Sequence, residues 1–494
     1  MSSECKEMEI ENRRVVLVVS KQHVKTVKTA LEQHGKLDRT ARIVPETDRE
    51  DHALAQSNMR IPTTIPYQVL MDSDDEEPYD LSVPTDLASL KFDVLEALGL
   101  RNLWTDISIS YHTPTTETST KTNPLRKAIH EALDLLPKAT LISLHLTPTS
   151  LADSFPLGYS IYPPLLLLPP NAFSSASWKT LLSIHPATSP LLTPLWTHLA
   201  TSMNVSHIAI NSPIPLTSQS SGNENILRSP SNIQPLHGDF GPVPTARTLA
   251  CPTQADFGEA LWVSVTQNGI YQTWAPMYTM FSRGNIREKS RILNLPTNEK
   301  EDGDGEGVVD MYAGIGYFAL SYRKSGKKPI VCFELNPWSI EGLRRGVIGN
   351  NWSYTILDPQ SSTNPANPAP HVDDVDFIIS PTSNTHAVSL ISTLTALSPI
   401  RHVNLGLLPR SRDSWADAVA LVDTKMGGWI RAHENVGECE MEKRKGEVEQ
   451  VFQGYLNDDR RAKIVHVERV KMYAPGVVHC VFDVWIDGIT MQSV

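Results

Sequence analysis

The sequence predicts an α/β protein in which residues 301–494 form a doubly wound, mainly parallel sheet, preceded by a small α/β domain and an N-terminal extension. Three observations carry this. Beyond residue 301, short β-branched runs alternate with helical spacing, the pattern that builds a parallel sheet covered by helices. One run, Val308–Met311, feeds the glycine-punctuated turn Tyr312-Ala313-Gly314-Ile315-Gly316-Tyr317-Phe318-Ala319. Another, Ile330–Phe333, ends in the acid Glu334.

The 494 residues leave room for two to four domains at ~100–200 residues each. Arg14–Ser20 (RVVLVVS) reads as a strand, and Val24, Val27, Ala30 and Leu31 then fall at helical spacing. Residues 1–150 are therefore expected to be an N-terminal α/β extension, interrupted by the acidic run Asp72–Glu77, a solvated loop. Of the 36 prolines, 14 lie within residues 151–250, and Ser218–Ser231 has the composition of a flexible connector. Residues 151–235 are accordingly expected to be a Pro/Ser-rich, partly ordered linker. Leu261–Val265 and Gly269–Trp274 flank an Asn268-Gly269 hairpin signal and belong to a small domain over 236–300.

Charge and cysteine usage bound the function. A net charge of −11 argues against indiscriminate coating of nucleic acid, which needs clustered Lys and Arg. A local basic strip remains: Met280–Arg291 (MFSRGNIREKSR) holds Arg283, Arg287, Lys289 and Arg291 against the single acid Glu288. Its bland reading is a solvated helix face, and its functional reading is a loop that reaches carboxylate or phosphate. The five cysteines include no Cys-x-x-Cys pair, so neither a disulfide framework nor a zinc site is expected, and no metal is called for. A charged start and an apolar run, Leu165–Leu168, boxed by prolines lead to the expectation of no signal peptide and no membrane span, and of a cytoplasmic protein.

The chemistry concentrates at strand ends. Gly314 and Gly316 let the backbone turn tightly and approach a ligand at the start of a helix. Glu334 lies 24 residues after Asp310, near the ~20-residue offset at which a carboxylate reaches a ribose hydroxyl. By itself this pattern also fits a nicotinamide dehydrogenase or a structural turn. Asp310 favours a third reading, because a carboxylate there opposes a pyrophosphate but suits the cationic cofactor S-adenosyl-L-methionine. His402–Leu408 (HVNLGLL) is a further strand whose Asn404, with the turn ending Pro409-Arg410-Ser411, belongs at the same crevice. There Asn404 either orients the transferred group or the acceptor or serves as a buried asparagine satisfying the backbone. Trp274 and Tyr278 are candidates for base stacking or for packing, and His433 reads as structural.

Six segments are similar in order to one family: TWAPMYTMFSRGNIREK (Thr273–Lys289), VVDMYAGIGYFAL (Val308–Leu320), ELNPWSIEGLRRGVIGN (Glu334–Asn350), HVNLGLLPRS (His402–Ser411), GGWIRAHENV (Gly427–Val436) and VKMYAPGVVHCVFDV (Val470–Val484). They resemble the wybutosine-synthesising tRNA aminocarboxypropyltransferases, relatives of the tRNA guanine-37 N1-methyltransferases. The resemblance implies a class I S-adenosylmethionine-dependent, Rossmann-like fold. It also implies transfer of the 3-amino-3-carboxypropyl group to C7 of the tricyclic 4-demethylwyosine base at position 37 of phenylalanine tRNA, releasing methylthioadenosine. Family cofactor contacts fall on Ser282, Lys289 and Glu334. A further contact falls on Asp358, which Pro359 follows where the family has Asn. The 236–300 domain then grips tRNA and cofactor, with Arg283 and Arg287 reaching RNA phosphates. No obligate protein partner is implied. The rival readings are a guanine-37 N1-methyltransferase, against which the NLGLLP turn speaks, and an idle nucleoside-binding protein.

Overall fold

The computed structural model describes residues 13–38, 41, 43–46, 58–67, 87–112, 123–211, 233–295, 305–357, 375–395, 397–457 and 459–489. Asp358, the acidic run at 72–77, the connector at 218–231 and the loop at 361–374 lie outside the described residues. The chain divides into two units, Met1–Lys121 and Thr122–Val494.

The first unit is a four-stranded antiparallel sheet in the order β2-β3-β1-β4, with β1 Arg14–Ser20, β2 Val44–Pro45, β3 Asn58–Pro66 and β4 Ile107–His112. Helix α1 (Val24–Gln33) buries Val27, Ala30 and Leu31, and α2 (Leu87–Ala97) buries Leu90, Val94 and Leu95, in one core with Val15, Leu17 and Ile61.

The second unit begins well before residue 150, and residues 151–211 of the expected linker belong to a folded layer. Strands β5 (Ser160–Tyr162), β6 (Leu165–Leu168), β7 (His207–Ile210) and β8 (Gln234–His237) form a sheet in that order. It packs with α3 (Pro124–Leu133), α4 (Ala176–Ile184) and α5 (Thr193–Ser202) around Trp178, Leu195, Trp196 and Leu199, all buried. The linker expectation fails over the described residues for a physical reason: several of the prolines and serines start or cap helices. Pro148 follows the N-cap Thr147 in a capping box, Ser175 caps α4, and Pro190 starts a 3₁₀ turn. Such residues start helices as readily as they loosen chain.

Residues 236–295 contribute one small cluster, Phe257, Ala260, Ala275 and Tyr278 closed by Trp338 of the large sheet's helix layer, and their other apolar residues pack into neighbouring cores. Strands β9 (Val263–Gln267) and β10 (Ile270–Trp274) pair as the expected hairpin, with Asn268 and Gly269 at φ of 53° and 70°. Val263 and Trp274 pack with Tyr162 and Leu165, and Ile270 packs with Val308 and Leu343. The hairpin and the helix after it, α6 (Ile286–Leu293), thus join the large sheet to the layer before it.

That large sheet has eight strands: β11 Gly307–Asp310, β12 Ile330–Phe333, β13 Tyr354–Ile356, β14 Phe377–Ser380, β15 Ile400–Leu405, β16 Gly428–Gly437, β17 Ala462–Ala474 and β18 Val477–Ile486. Their order is β13-β14-β12-β11-β15-β16-β18-β17, with β11 to β16 parallel and β17 and β18 antiparallel. This is the doubly wound sheet that the alternation implies. Helix α7 (Ala319–Lys324) follows the glycine turn and α8 (Pro337–Gly349) follows Glu334. The order reverses at β11, so the carboxyl ends of β11, β12, β14 and β15 frame the crevice where such sheets bind ligands.

Candidate active site

Asp310 ends β11 and stands in register with Asn404 on β15. Both side chains are fully buried. Asn404 Nδ2 donates to Asp310 Oδ1 at 3.1 Å, and the Tyr312 amide donates to the same oxygen at 3.3 Å. Asp310 Oδ2 and Asn404 Oδ1 are left buried with no partner. Two such acceptors are costly unless a donor fills the gap between folded and functional states. Burial pushes the Asp310 carboxyl up to about 6 against the hydrogen bonds from Asn404 and the backbone, and the nearby Glu334 charge adds to the rise. An ammonium group lying between them would donate to both orphaned oxygens and favour the ionised form of Asp310.

The glycine turn locks Glu334 in place. Gly314, at φ 55°, donates its amide to Glu334 Oε2 at 2.8 Å, while Oε1 accepts from the Leu335 and Asn336 amides at 2.9 and 2.7 Å. A Cβ on Gly316, at φ 89°, would lie 2.8 Å from Leu320 Cγ and from Leu343 Cδ1, so only glycine fits between the two helices. Burial raises the Glu334 carboxyl, and the three amides oppose it. Oε1 is filled by its two amides, and Oε2, with a single amide, keeps acceptor capacity for a sugar hydroxyl.

At a third strand end the structure offers a candidate that the sequence reading did not name. Expectation placed the contact after β13, at Asp358. Strand β14 is inserted between β13 and β12, and Phe333 pairs with Ser380. The Glu334 amide donates to the Ser380 carbonyl at 3.2 Å, so the turn after β14 stands beside Glu334 and β13 is the outer edge. That turn carries Asn384, whose Nδ2 donates to the Met311 carbonyl at 3.0 Å and to Ser414 Oγ at 3.4 Å. Its Oδ1 has no partner among the described residues. The signal was present as Ser383-Asn384 after the apolar FIIS run, but two short strands competed for one place in the sheet.

The basic strip is less free than its composition suggests. Ser282 Oγ accepts from Lys471 Nζ at 3.4 Å. Lys289 is buried, with Nζ donating to Gln272 Oε1 at 2.7 Å and Gln267 Oε1 at 3.1 Å, above the Phe281 ring. Burial brings its ammonium down to about 7. Gln272 Nε2 in turn donates to the Gly316 carbonyl at 3.5 Å, which couples Lys289 to the glycine turn. Arg287 is paired with Glu468 at 2.6 Å, and Arg291 is held by Glu288 and Asp483. Arg283 is exposed and donates to Ser160 Oγ at 3.1 Å.

Trp274 and Tyr278 are buried, Trp274 stacked on Phe281 and Tyr278 on Trp338, which excludes base stacking without rearrangement. His433 is buried, with Nδ1 3.0 Å from His479 Nε2. Among the described residues no group of three or more His, Cys, Asp or Glu side chains is arranged for a metal ion, and no helix is long and apolar enough to cross a membrane.

The crevice therefore offers acceptors for an ammonium (Asp310, Asn404), a carboxylate for a sugar hydroxyl (Glu334), an amide for a heterocycle edge (Asn384) and a hydroxyl beside a cation (Ser282, Lys471). The donor set fits S-adenosylmethionine at both of its ends.

Comparison with known proteins agrees. Residues 264–381 match the TRM5/TYW2 methyltransferase domain. The tRNA wybutosine-synthesizing protein 2 of Schizosaccharomyces pombe is 37% identical over 341 residues, covering 69% of this chain and 75% of that protein. Its namesake from Saccharomyces cerevisiae is 32% identical over 376 residues, covering 68% and 75%. The crystal structure of P. horikoshii TYW2 in complex with MeSAdo superposes with a TM-score of 0.44 at 18% identity, covering 71% of this chain and 98% of that one, too loosely to carry an argument.

Proposed function

Since the chain belongs to the tRNA wybutosine-synthesizing protein 2 family, we propose that it transfers the 3-amino-3-carboxypropyl group of S-adenosylmethionine to C7 of the tricyclic base at position 37 of phenylalanine tRNA. It is an S-adenosylmethionine-dependent tRNA-modifying transferase. The observation that carries the reading is the pair of buried, unpartnered oxygens on Asp310 and Asn404, at the same carboxyl-terminal edge of the sheet as the amide-held carboxylate of Glu334.

When bound, the cofactor supplies an electrophilic sulfonium, and the attached carbon lying in line with the acceptor at ~3–3.5 Å is the one transferred. The protein's residues choose that carbon by orientation. Glu334 holds the ribose end, and Asn384 Oδ1 accepts from the exocyclic amine of the adenine, the part expectation gave to Asp358. Asp310 and Asn404 hold the α-ammonium, and Ser282 donates to the carboxylate. Lys289 acts as a positioning residue, fixing Gln272 against the Gly316 carbonyl. Gripping the amino-acid arm at its far end exposes its methylene instead of the methyl. Arg283, exposed at the rim, meets an RNA phosphate, while Arg287 arrives with its charge already compensated by Glu468. A cytoplasmic site of action is supported by Cys251 and Cys439, exposed as free thiols, which suit a reducing compartment.

The test is incubation with S-adenosylmethionine labelled in the carboxyl carbon, or separately in the methyl, together with tRNA bearing the tricyclic precursor. Carboxyl label entering the RNA is the expected result. Methyl label alone would assign the chain to the guanine-methylating branch.

A further inference from the structure

Most of the cations around α6 and the sheet face beneath it carry a compensating group. Arg287 has Glu468, Arg291 has Glu288 and Asp483, Arg431 lies 3.7 Å from Asp483, and Lys289 has two amide oxygens. Lys471, near the end of β17, has none. Among the described residues its Nζ makes one hydrogen bond, to Ser282 Oγ at 3.4 Å, and no ion pair. The ammonium is half-buried and pressed against the Ser282–Asn285 turn, so closely that a Cβ on Gly284 would lie 2.7 Å from Nζ. Across the ladder it stands opposite His479, whose Nδ1 is buried without a partner. Burial lowers the lysine, and burial together with the lysine's charge brings His479 down to about 4, so the imidazole facing Lys471 is uncharged at neutral pH and is no counter-ion for it.

A half-buried ammonium without an anion, touching a serine hydroxyl and approached closely by a glycine backbone, is an anion site. Resting on the reading above, we propose that Lys471 holds the carboxylate of the amino-acid arm, with Ser282 as the second donor. Lys289, saturated by Gln267 and Gln272, is the positioning cation behind it. Two donors on the carboxylate and two acceptors on the ammonium (Asp310, Asn404) then fix the arm at both of its charged groups. One charged group held alone leaves the arm free to swing about it, and the leaving carbon with it.

The proposal is tested by binding, without turnover. Affinities for S-adenosylmethionine and for methylthioadenosine, which lacks the aminocarboxypropyl arm, are measured by calorimetry for the wild type, Lys471→Met and Lys471→Arg, each checked for a native melt; Lys471→Gln substitutes should the Met variant melt early. Loss of a charge-assisted hydrogen bond predicts a fall of about ten- to a hundredfold for S-adenosylmethionine in Lys471→Met. Methylthioadenosine affinity stays within about twofold, and Lys471→Arg keeps most of the difference between the ligands. An unchanged ratio of the two affinities in Lys471→Met overturns the proposal. So does an unchanged ratio accompanied by a raised KM for tRNA, which would give the ammonium to an RNA phosphate. A wild type that binds neither nucleoside would remove the cofactor reading itself.

Discussion

At the scale of single residues the site is defined by what is left unsatisfied. Asp310 holds one hydrogen bond from Asn404 and one from a backbone amide, and its second oxygen waits on a ligand. Its pKa is about 6 in the folded protein against an ordinary 3.8. The folded state therefore keeps this proton longer than the unfolded chain, and the Asp310 contribution to stability falls as pH rises from about 4 to about 6. A bound ammonium reverses the preference, since it needs the carboxylate. Affinity for S-adenosylmethionine should accordingly rise between pH 5 and pH 7, and Asp310→Asn should flatten that rise while weakening binding about tenfold or more at pH 7. A pH series of calorimetric titrations checks both, and a wild-type profile flat over that range would separate Asp310 from the amino group. Asp310, Gly314, Glu334 and Asn404 were legible in sequence because each ends a strand or turn whose pattern is local. Asn384 and Lys471 were not. Their importance depends on which strand lies beside β12 and which turn lies beside β17, contacts between residues far apart in the chain.

At the scale of elements, the crevice is held by the docking of α8 on the β9–β10 hairpin. Gly342 lets the Thr273 carbonyl approach to 2.9 Å of where its Cβ would be, and Gly349 does the same for the Tyr271 ring at 2.4 Å. Asn350, closing the helix, accepts from the Tyr271 amide and donates to the Tyr271 and Gly346 carbonyls. The helix that Glu334 introduces is thereby fastened to the strand bearing Gln272. Gly342→Ala must displace backbone at Thr273 and is expected to cost ~1–3 kcal/mol of stability. It should also weaken cofactor binding through Gln272 and the Gly316 carbonyl. A denaturation midpoint unchanged from the wild type would show that the hairpin yields freely. The same scale explains the failed linker reading. Capping and loop-forming chemistry use the same residue types, and only the buried Trp178, Trp196 and Leu195 distinguish them. Those apolar residues were visible in the sequence, but their period was broken by prolines that start helices.

For the whole molecule, the doubly wound sheet was readable from alternation alone, whereas its eight-strand order and the unit boundary at residue 121 were not. Insertion of β14 and the late pairing of β17 with β18 are choices between strands of similar composition, settled by packing. The net charge of −11 coexists with RNA recognition because the cations near the site are individually placed and mostly paired, leaving Arg283 and Lys471 with charge to spend on anions. Cations placed in this way do not make a surface of general affinity for nucleic acid.

The most direct test of the account is the identity of the nucleoside released when the protein turns over S-adenosylmethionine with tRNA carrying the tricyclic precursor. Methylthioadenosine, in amounts matching the modified base, is the predicted product. S-adenosylhomocysteine in its place would mean that the methyl had faced the acceptor, and would contradict the claim that these strand ends hold the longer arm in line.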